Sequence, residues 1–515
     1  MTREGCGAES EVRQQSGLVP GRVDDPRGRR YSLPMLASLR STLARAAAAA
    51  LPLAATVAGP AAAQRPTLAP AVREFVSVDT AVVALTHVRV IDGTGAAPRE
   101  DQTLILRDGD IAAAGPSRSI AVPASALVMD LTGKSVIPGL VMMHEHLYYP
   151  TGPGVYGADY GSFSRLYLAG GVTTMRTAGN VGGYADLNLA AAIKAGQQAG
   201  PWIDATAPYV NGPSPFTQMY ALKDSADAAR FVAFWADAGA TSFKAYMNIT
   251  RAELAATVAE AHRRGLKVTG HLCSVTYREA AEIGIDDLEH GFFVATDFVA
   301  AKQPDLCPGQ NVGMTALAGL DSAAPAFKAL VQELIAHHVA ITSTLTVFET
   351  FTPGQPVPPG IDVLDPILKD QFLQNYQRAQ ANTASIFGRL FASDRAMEVA
   401  FARAGGLLVA GTDPTGGGGV IPGYSDQRQV ELLVGSGFTP LEAIKICTLN
   451  GATYLGRAAR VGSIAAGKQA DLVVIDGNPA AKIDDISHVT LVFKQGVGYD
   501  PAKLIGSVRG KTGLY

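Results

Sequence analysis

Residue types that bind metal ions recur at the ends of short apolar runs in this 515-residue chain. His144 and His146 follow the apolar run 136–141, which we interpret as a strand. Residues two apart in a strand point to the same side, so both imidazoles can reach one ion. An H-x-H pair alone is a weak signal. Four further candidates each end or directly follow a predicted strand: Lys244, His271, His290 and Asp413.

The lysine among these candidates predicts a special chemistry. Lys244 ends the apolar run 241–243, where an unpaired ammonium would be costly to bury. Burial lowers the pKa of a lysine, so that its neutral amine can react with carbon dioxide. The resulting carbamate is an anion with two oxygens, suited to bridging two divalent ions. Without the histidines, the alternative is an ordinary surface lysine.

The elements around these residues predict an α/β fold in two parts. Over residues 139–457, short β-runs alternate with helical stretches, which favours a (β/α)8 TIM barrel with its active site at the carboxyl ends of the strands. The β-rich segments 64–138 and 458–515 predict a small composite β-sandwich assembled from both ends of the chain. The stretch from residue 353 to Phe391 is longer than a plain connection and could form a lid or substrate wall.

The first 63 residues are interpreted as a leader. A basic region, an Ala/Leu core and a small-x-small site before Gln64 are typical of a secretory signal, which predicts an exported, periplasmic or secreted protein without a membrane span. The alternative is a disordered Ala-rich tail. In an oxidising compartment, a bridge between Cys273 and Cys307 is possible. The net charge of −3 gives no footprint for nucleic acid.

Taken together, the motifs resemble the amidohydrolase superfamily, specifically its imidazolonepropionase-like and prolidase-like hydrolases with a carboxylated lysine. The resemblance covers nearly everything from about residue 80 to residue 500. Its matching stretches are Pro138-Gly139-Leu140-Val141 before the H-x-H pair, Gly171-Val172-Thr173-Thr174-Met175-Arg176, Phe243-Lys244-Ala245-Tyr246, Leu288-Glu289-His290-Gly291, Gly411-Thr412-Asp413 and Lys468-Gln469-Ala470-Asp471-Leu472.

The resemblance implies a site with two divalent metal ions, for which zinc is the default. A hydroxide between the ions would attack the substrate, Asp413 would accept its proton and pass it to the leaving group, and Tyr246 could donate to the developing oxyanion. For Tyr246, a core position is the alternative. The implied ligands are His144, His146 and Asp413 for one ion, His271 and His290 for the other, and carboxylated Lys244 between them.

The resemblance and the predicted export favour hydrolysis of an amide C–N bond in a small molecule, with a dipeptide or an N-acyl amino acid as the expected substrate. Arg176 could pair with a substrate carboxylate or form a structural ion pair. A lactonase, an organophosphate hydrolase, a metal-dependent decarboxylase or isomerase, and a non-catalytic metal-barrel binding protein are the alternatives. A homo-oligomer is left open.

Overall fold

The structure, a computed structural model, describes residues 67–152, 154–213 and 216–514. The predicted leader lies outside these residues. The strands, in chain order, are β1 (Val76–Val78), β2 (Val82–Val90), β3 (Arg99–Arg107), β4 (Asp110–Pro116), β5 (Leu127–Asp130), β6 (Ser135–Pro138), β7 (Leu140–Glu145), β8 (Tyr148–Gly152), β9 (Val155–Ala158), β10 (Val172–Thr177), β11 (Trp202–Asp204), β12 (Ser242–Ala245), β13 (Lys267–Gly270), β14 (Asp287–Glu289), β15 (Ala340–Ser343), β16 (Leu408–Ala410), β17 (Leu472–Ile475), β18 (Val489–Lys494) and β19 (Val497–Tyr499).

Helices lie between and after these strands. They are α1 (Pro70–Arg73), α2 (Tyr160–Ala169), α3 (Ala185–Lys194), α4 (Ser225–Asp237), α5 (Arg251–Arg263), α6 (Tyr277–Ile283), α7 (Gln310–Leu317), α8 (Pro325–Ala336), α9 (Leu345–Glu349), α10 (Pro366–Ala381), α11 (Phe387–Arg403), α12 (Tyr424–Ser436), α13 (Pro440–Lys445), α14 (Gly451–Tyr454) and α15 (Pro501–Val508). Within the described part of the chain, none of these helices has the length and hydropathy needed to cross a membrane.

Eight of the strands are parallel and occur in chain order in two arcs. The first arc has the order β11-β10-β7, and the second runs from β12 through β16. A bridge between Thr206 and Ser242 links the arcs at one seam. At the other seam, the carbonyl of His144 accepts from the amides of Thr412 and Asp413 at 3.1 and 3.0 Å. This α/β arrangement is the one that a (β/α)8 barrel requires, although closure of the barrel stays a prediction.

Strands from both ends of the chain join in one nine-stranded sheet. Its order is β1-β19-β18-β17-β6-β2-β3-β4, with β5 beside β2. The antiparallel pair β17–β6, with Leu472 opposite Pro138, connects the C-terminal segment to the N-terminal one. Val83, Leu104 and Phe493 are buried in a common apolar core of this sheet. The sheet thus combines both termini as predicted, while its division into two sandwich layers and the predicted domain boundaries remain untested.

The apolar run 136–141 does not form a single strand as expected. It divides at Gly139, so that β6 belongs to the nine-stranded sheet and β7 to the parallel arc. A side chain at Gly139 would come within 2.1 Å of the hydroxyl of Thr173 on β10, so the chain can turn between the two sheets only with glycine there. Strand β15 is short, because α9 begins at Leu345, two residues after the strand ends.

Capping residues start the helices that follow two site strands. Thr250 before α5 and Thr276 before α6 each accept from the amide three residues on, and Glu253 and Glu279 return the contact. Such boxes satisfy backbone donors that would otherwise be unpaired at the helix start. They therefore hold the turns that lead away from β12 and β13, where two of the candidate ligands lie.

Candidate metal centre

One cavity of about 370 Å³ collects the predicted ligand residues. Each of them is either the next-to-last residue of a parallel strand or follows the strand by no more than three residues. All of them therefore lie at the carboxyl edge of the two arcs. All except half-buried His271 are almost entirely buried. The residues that line the cavity include His144, His146, Lys244, His271, His290, Asp413 and Tyr246.

Three of the imidazoles surround the carboxylate of Asp413. Its Oδ1 lies 3.2 Å from Nε2 of His146 and 3.7 Å from Nε2 of His144, and its Oδ2 lies 3.7 Å from Nδ1 of His290. The hydroxyl of Thr415 donates to Oδ1 at 2.7 Å. Four nitrogen and oxygen donors at this spacing suit a divalent ion such as zinc.

The candidate donors form two overlapping groups that could hold metal ions. His144, His146 and Asp413 make one group, and His144, Glu289 and His290 make the other, each with its donor atoms within 4.8 Å of one another. The first group has the composition predicted for one ion. The second contains Glu289 in place of His271.

His271 nevertheless lies beside the second group. Its ring centroid is 4.5 Å from that of His290. Its Nε2 is buried and has no hydrogen-bond partner in the described part of the chain. A buried donor or acceptor without a partner is costly, and a bound ion would satisfy it. The residues present therefore fit a pair of metal ions.

Hydrogen bonds at Nδ1 help to orient two of the rings. Nδ1 of His146 lies 3.2 Å from the carbonyl of Gly179, and Nδ1 of His290 lies 2.9 Å from the hydroxyl of Thr344. With a proton on Nδ1 of His146, the ring donates to Gly179 and leaves Nε2 free to bind an ion. Burial lowers the pKa of both histidines, which keeps the rings neutral as ligands must be.

Two of the candidate ligands have strained backbones. His290 has φ +69° and Asp413 has φ +55°, in the left-handed region that non-glycine residues seldom adopt. Each such conformation costs on the order of 1–3 kcal/mol and persists where the surrounding structure demands it. Both residues line the cavity, and backbone strain of this kind is typical of functional sites.

Lys244 is the most unusual residue in the cavity. Its side chain is 1% exposed, and its Nζ contacts Oε2 of Glu289. Burial lowers the pKa of Lys244 well below its usual range, and the charge of Arg176 lowers it further, while Asp413 and Asp287 oppose the shift. The neutral amine that carboxylation requires is therefore favoured.

Glu289 is the functional residue that sequence reasoning missed. Besides Lys244, its Oε2 lies 3.0 Å from Nδ1 of His144, and its Oε1 accepts from Arg176 at 2.6 Å. The sequence did contain a signal for a buried carboxylate at this place. Asp287 and Glu289 are two residues apart on β14, so their side chains should lie on the same face of the strand. The carboxylate of Glu289 therefore contacts two candidate ligands, His144 and Lys244, and can position both of them.

Arg176 forms a structural ion pair and does not face a substrate. Its guanidinium is fully buried and donates to Glu289, to the carbonyl of Met143 at 2.5 Å and to the hydroxyl of Thr269 at 2.5 Å. It does not line the cavity. Of the two alternatives raised by the sequence, pairing with a substrate carboxylate is wrong because these partners occupy both terminal nitrogens.

Tyrosines, unlike Arg176, line the cavity beside the candidate ligands. The ring of Tyr246 lies 4.8 Å from that of His271 and 4.9 Å from that of Tyr209. Tyr148 stacks on His146 at 4.5 Å, and its hydroxyl bonds to that of Tyr209. Burial raises the pKa of Tyr246, so its phenol keeps the proton that donation to an oxyanion needs. Its role as donor stays a prediction.

A disulfide closes one side of the cavity. Cys273 and Cys307 are bonded, with 4.8 Å between their Cα atoms and a separation of 34 positions in sequence. Cys273 lines the cavity, and so do Gly309 and Met314 just beyond Cys307. The bridge that the sequence left open is therefore formed, and it ties a wall segment to the end of β13.

The comparisons with known proteins agree with this geometry. Residues 135–498 match the model of the amidohydrolase family. The chain therefore belongs to the amidohydrolase family, and the resemblance stated from the motifs is confirmed. Membership in this family supports a hydrolase that acts on amide or other C–N bonds.

Individual relatives share parts of the chain. An imidazolonepropionase from Syntrophobacter fumaroxidans is 39% identical over 66 residues, which span 12% of this chain and about one sixth (16%) of that relative. A putative prolidase from Bifidobacterium longum has 26% identity and a TM-score of 0.61, covering 81% of this chain and 94% of that one. Phenylurea hydrolase B has 21% identity and a TM-score of 0.61, covering 82% and 97%, and shows likeness of fold alone.

Proposed function

We propose that this protein is a metal-dependent hydrolase that cleaves an amide C–N bond in a small molecule, on a barrel closed from the two arcs of parallel strands. The observation that carries the proposal is the convergence of four histidines, one carboxylate and one buried lysine on a single cavity at the strand ends. A non-catalytic binding protein would have no need to bury these donors together, since each is costly to bury without a partner.

The ligand assignment follows the distances around the cavity. His144, His146 and Asp413 would hold one ion, with the spacing described above. His271 and His290 would hold the second, because their rings adjoin and Nε2 of His271 has no other partner in the described chain. Carboxylated Lys244 would bridge the two. Bound zinc or a similar ion would supply a hydroxide nucleophile near neutral pH and polarise the scissile carbonyl.

Asp413 has the state that a proton acceptor needs. Burial alone would raise its pKa, but the hydrogen bonds with His146 and Thr415 hold that pKa below its usual range. The carboxylate is therefore ionised, can take the proton from the attacking water, and can deliver it to the leaving nitrogen. Tyr246 would donate its phenol proton to the developing oxyanion.

A dipeptide or an N-acyl amino acid remains the substrate that the sequence predicts. The solved relatives include a Xaa-Pro dipeptidase and a phenylurea hydrolase, and each named activity belongs to that protein alone. A lactonase or organophosphate hydrolase on the same site is the second candidate, because the same nucleophile would attack either bond. Turnover of matched amides, lactones and phosphotriesters would separate them.

Export of the protein is part of the proposal and is supported by the disulfide between Cys273 and Cys307, since such bonds persist in oxidising compartments. N-terminal sequencing of protein recovered from outside the cytoplasm tests it. A chain that begins near Gln64 supports a removed leader, and a chain recovered only from the cytoplasm with its first residues intact contradicts export.

The first experiment measures metal content in the wild type and in Lys244→Ala. We expect about two ions per chain in the wild type and a sharp fall in the variant, because the bridging ligand is lost. Lys494→Ala is the matched control, since Lys494 also has a pKa lowered by burial but donates to the carbonyl of Gly200, away from the cavity. It should keep its metal.

The wild type could also stay free of metal after reconstitution with zinc, cobalt and manganese, and that result would refute the hydrolase mechanism. Equal loss of metal in the Lys244→Ala and Lys494→Ala variants would show that the effect is a general consequence of removing a buried lysine. The bridging role of Lys244 would then be wrong.

A further inference from the structure

The cavity wall beside the ligands is built largely from aromatic side chains. Phe293 and Phe348 stack face to face, with centroids 3.5 Å apart and an interplanar angle of 8°. Phe348 meets the ring of His290 edge-on at 5.8 Å, so the wall begins at a candidate ligand. Phe351 and Phe387 extend it, with centroids 5.3 Å apart. We refer to these four residues as the phenylalanine wall.

The rest of the lining adds few charges. Among the described residues around the cavity, Lys244 has the single amine or guanidinium side chain, and it is in contact with Glu289.

The tyrosines do not replace the missing cation. The hydroxyls of Tyr148 and Tyr209 already bond to each other. A substrate carboxylate placed against the phenylalanine wall, away from the metal ligands, would therefore lose its hydration shell without gaining an ionic partner, which is unfavourable. An aromatic ring would instead gain stacked and edge-to-face contacts with the phenylalanine wall.

We propose that the substrate is an uncharged amide whose bulk is an aromatic group seated against the phenylalanine wall, and that the wall selects against a free carboxylate. This inference rests on the proposed amide hydrolysis and narrows it. It favours neutral aryl or arylalkyl amides over the free dipeptides and N-acyl amino acids expected from the sequence. The volume of about 370 Å³ is near the lower end of the usual range of roughly 300–1,000 Å³ for ligand cavities, enough for one or two rings.

A matched pair of substrates tests the inference. N-benzoyl-2-phenylethylamine and N-benzoylphenylalanine differ by one carboxylate, and both release benzoate on hydrolysis. With the metal-loaded wild type we expect kcat/KM to be at least about tenfold higher for the neutral amide, because an unpaired buried charge costs more than about 1–3 kcal/mol. Equal values, or a preference for the carboxylate, would overturn the inference.

A charge variant provides an independent check. Met314 on α7 lines the cavity and is half-buried, and no mechanistic role is assigned to it. Met314→Arg should shift the ratio of kcat/KM toward N-benzoylphenylalanine by about tenfold, since it supplies the missing cation. Met314→Gln is the neutral control and should leave the ratio near that of the wild type. A shift of the same size in both variants would contradict the charge argument.

Binding measurements separate failure of this inference from failure of the proposed function. Calorimetry on the metal-loaded wild type gives Kd for both compounds whether or not they are hydrolysed. If neither compound is cleaved while the neutral one binds more tightly, hydrolysis of these amides is refuted and the preference for a neutral aromatic ligand is supported. Tighter binding of N-benzoylphenylalanine would overturn the proposed preference for a neutral ligand, even if both compounds are cleaved.

Discussion

Replacement of Arg176 by methionine should destabilise the protein because it leaves a buried carboxylate without its main partner. The guanidinium of Arg176 is fully buried, and its NH2 donates to Glu289 at 2.6 Å and to Thr269 at 2.5 Å. Removal of one member of a buried ion pair typically costs about 3–5 kcal/mol, mostly as the penalty of the charge left behind. We expect Arg176→Met to lose that amount.

Urea unfolding of Arg176→Met, Glu289→Gln and the double variant measures the effect. The double variant removes both charges, so it should be more stable than the sum of the single losses predicts. A coupling energy of about 2 kcal/mol or more is expected for groups in direct contact. Circular dichroism and tryptophan fluorescence should report the same transition if the unfolding is cooperative.

Two outcomes would refute this reasoning. A loss below about 1 kcal/mol in Arg176→Met would mean that the ion pair contributes no more than an exposed one. A coupling energy near zero would mean that Glu289 does not depend on Arg176. If stability were unchanged while KM rose selectively for carboxylate substrates, Arg176 would have the substrate-binding role that its burial argues against.

Three further predictions concern other parts of the fold. Gly411→Ala should lower metal content and stability, because its Cβ would lie 2.4 Å from the backbone of the first ligand strand; Gly388→Ala, with open space around it, is the control. Burial raises the pKa of Asp186 from 3.8 to about 7. The free energy of unfolding should therefore be highest below about pH 4 and should fall as the pH rises to about 7. Asp186→Asn should remove this slope and be the more stable protein at pH 8, by up to about 4 kcal/mol in urea unfolding. Cys307→Ser opens the 34-residue loop closed by Cys273 and should lower the free energy of unfolding by about 4 kcal/mol.

The contradicting results differ for each of these variants. Equal metal content in Gly411→Ala and Gly388→Ala would show that the backbone near residue 411 can shift to accept a Cβ without disturbing the site. Parallel stability curves for the wild type and Asp186→Asn between pH 4 and pH 8 would place the titration elsewhere. Alkylation of the denatured protein without its leader and without reductant should label Cys447 and spare the bridged pair. Labelling of Cys273 and Cys307 as well would show that the bridge is not formed.

The positions of the candidate ligands could be predicted from the sequence because they depend on residue type and on place along a strand. His144 and His146 follow an apolar run, and Asp413 follows another, so local pattern alone put them at strand ends. The carboxyl ends of parallel strands meet at one edge of the fold, which brings such residues together. The limits of helix α6 also depend on local signals, a capping threonine before it and a left-handed glycine after it.

Other features were decided by tertiary structure alone. The division of the run 136–141 depends on which strands pair with each half, and both partners come from distant parts of the chain: β17 for the first half and β10 for the second. An apolar pattern shows that a segment is buried, but it does not show which sheet the segment joins. The single strand predicted for this run was wrong for that reason.

Sequence alone therefore determined the family, the candidate ligands and the alternation of strands and helices, since these follow from local periodicity and from motifs. It did not determine that Glu289 contacts Lys244, that Arg176 is occupied by buried partners, or that phenylalanines from three separate segments form one wall. Contacts of this kind join residues up to about a hundred positions apart, and they set charge, burial and cavity shape together. Those properties decide what a site can bind, and they exist only once the chain has folded.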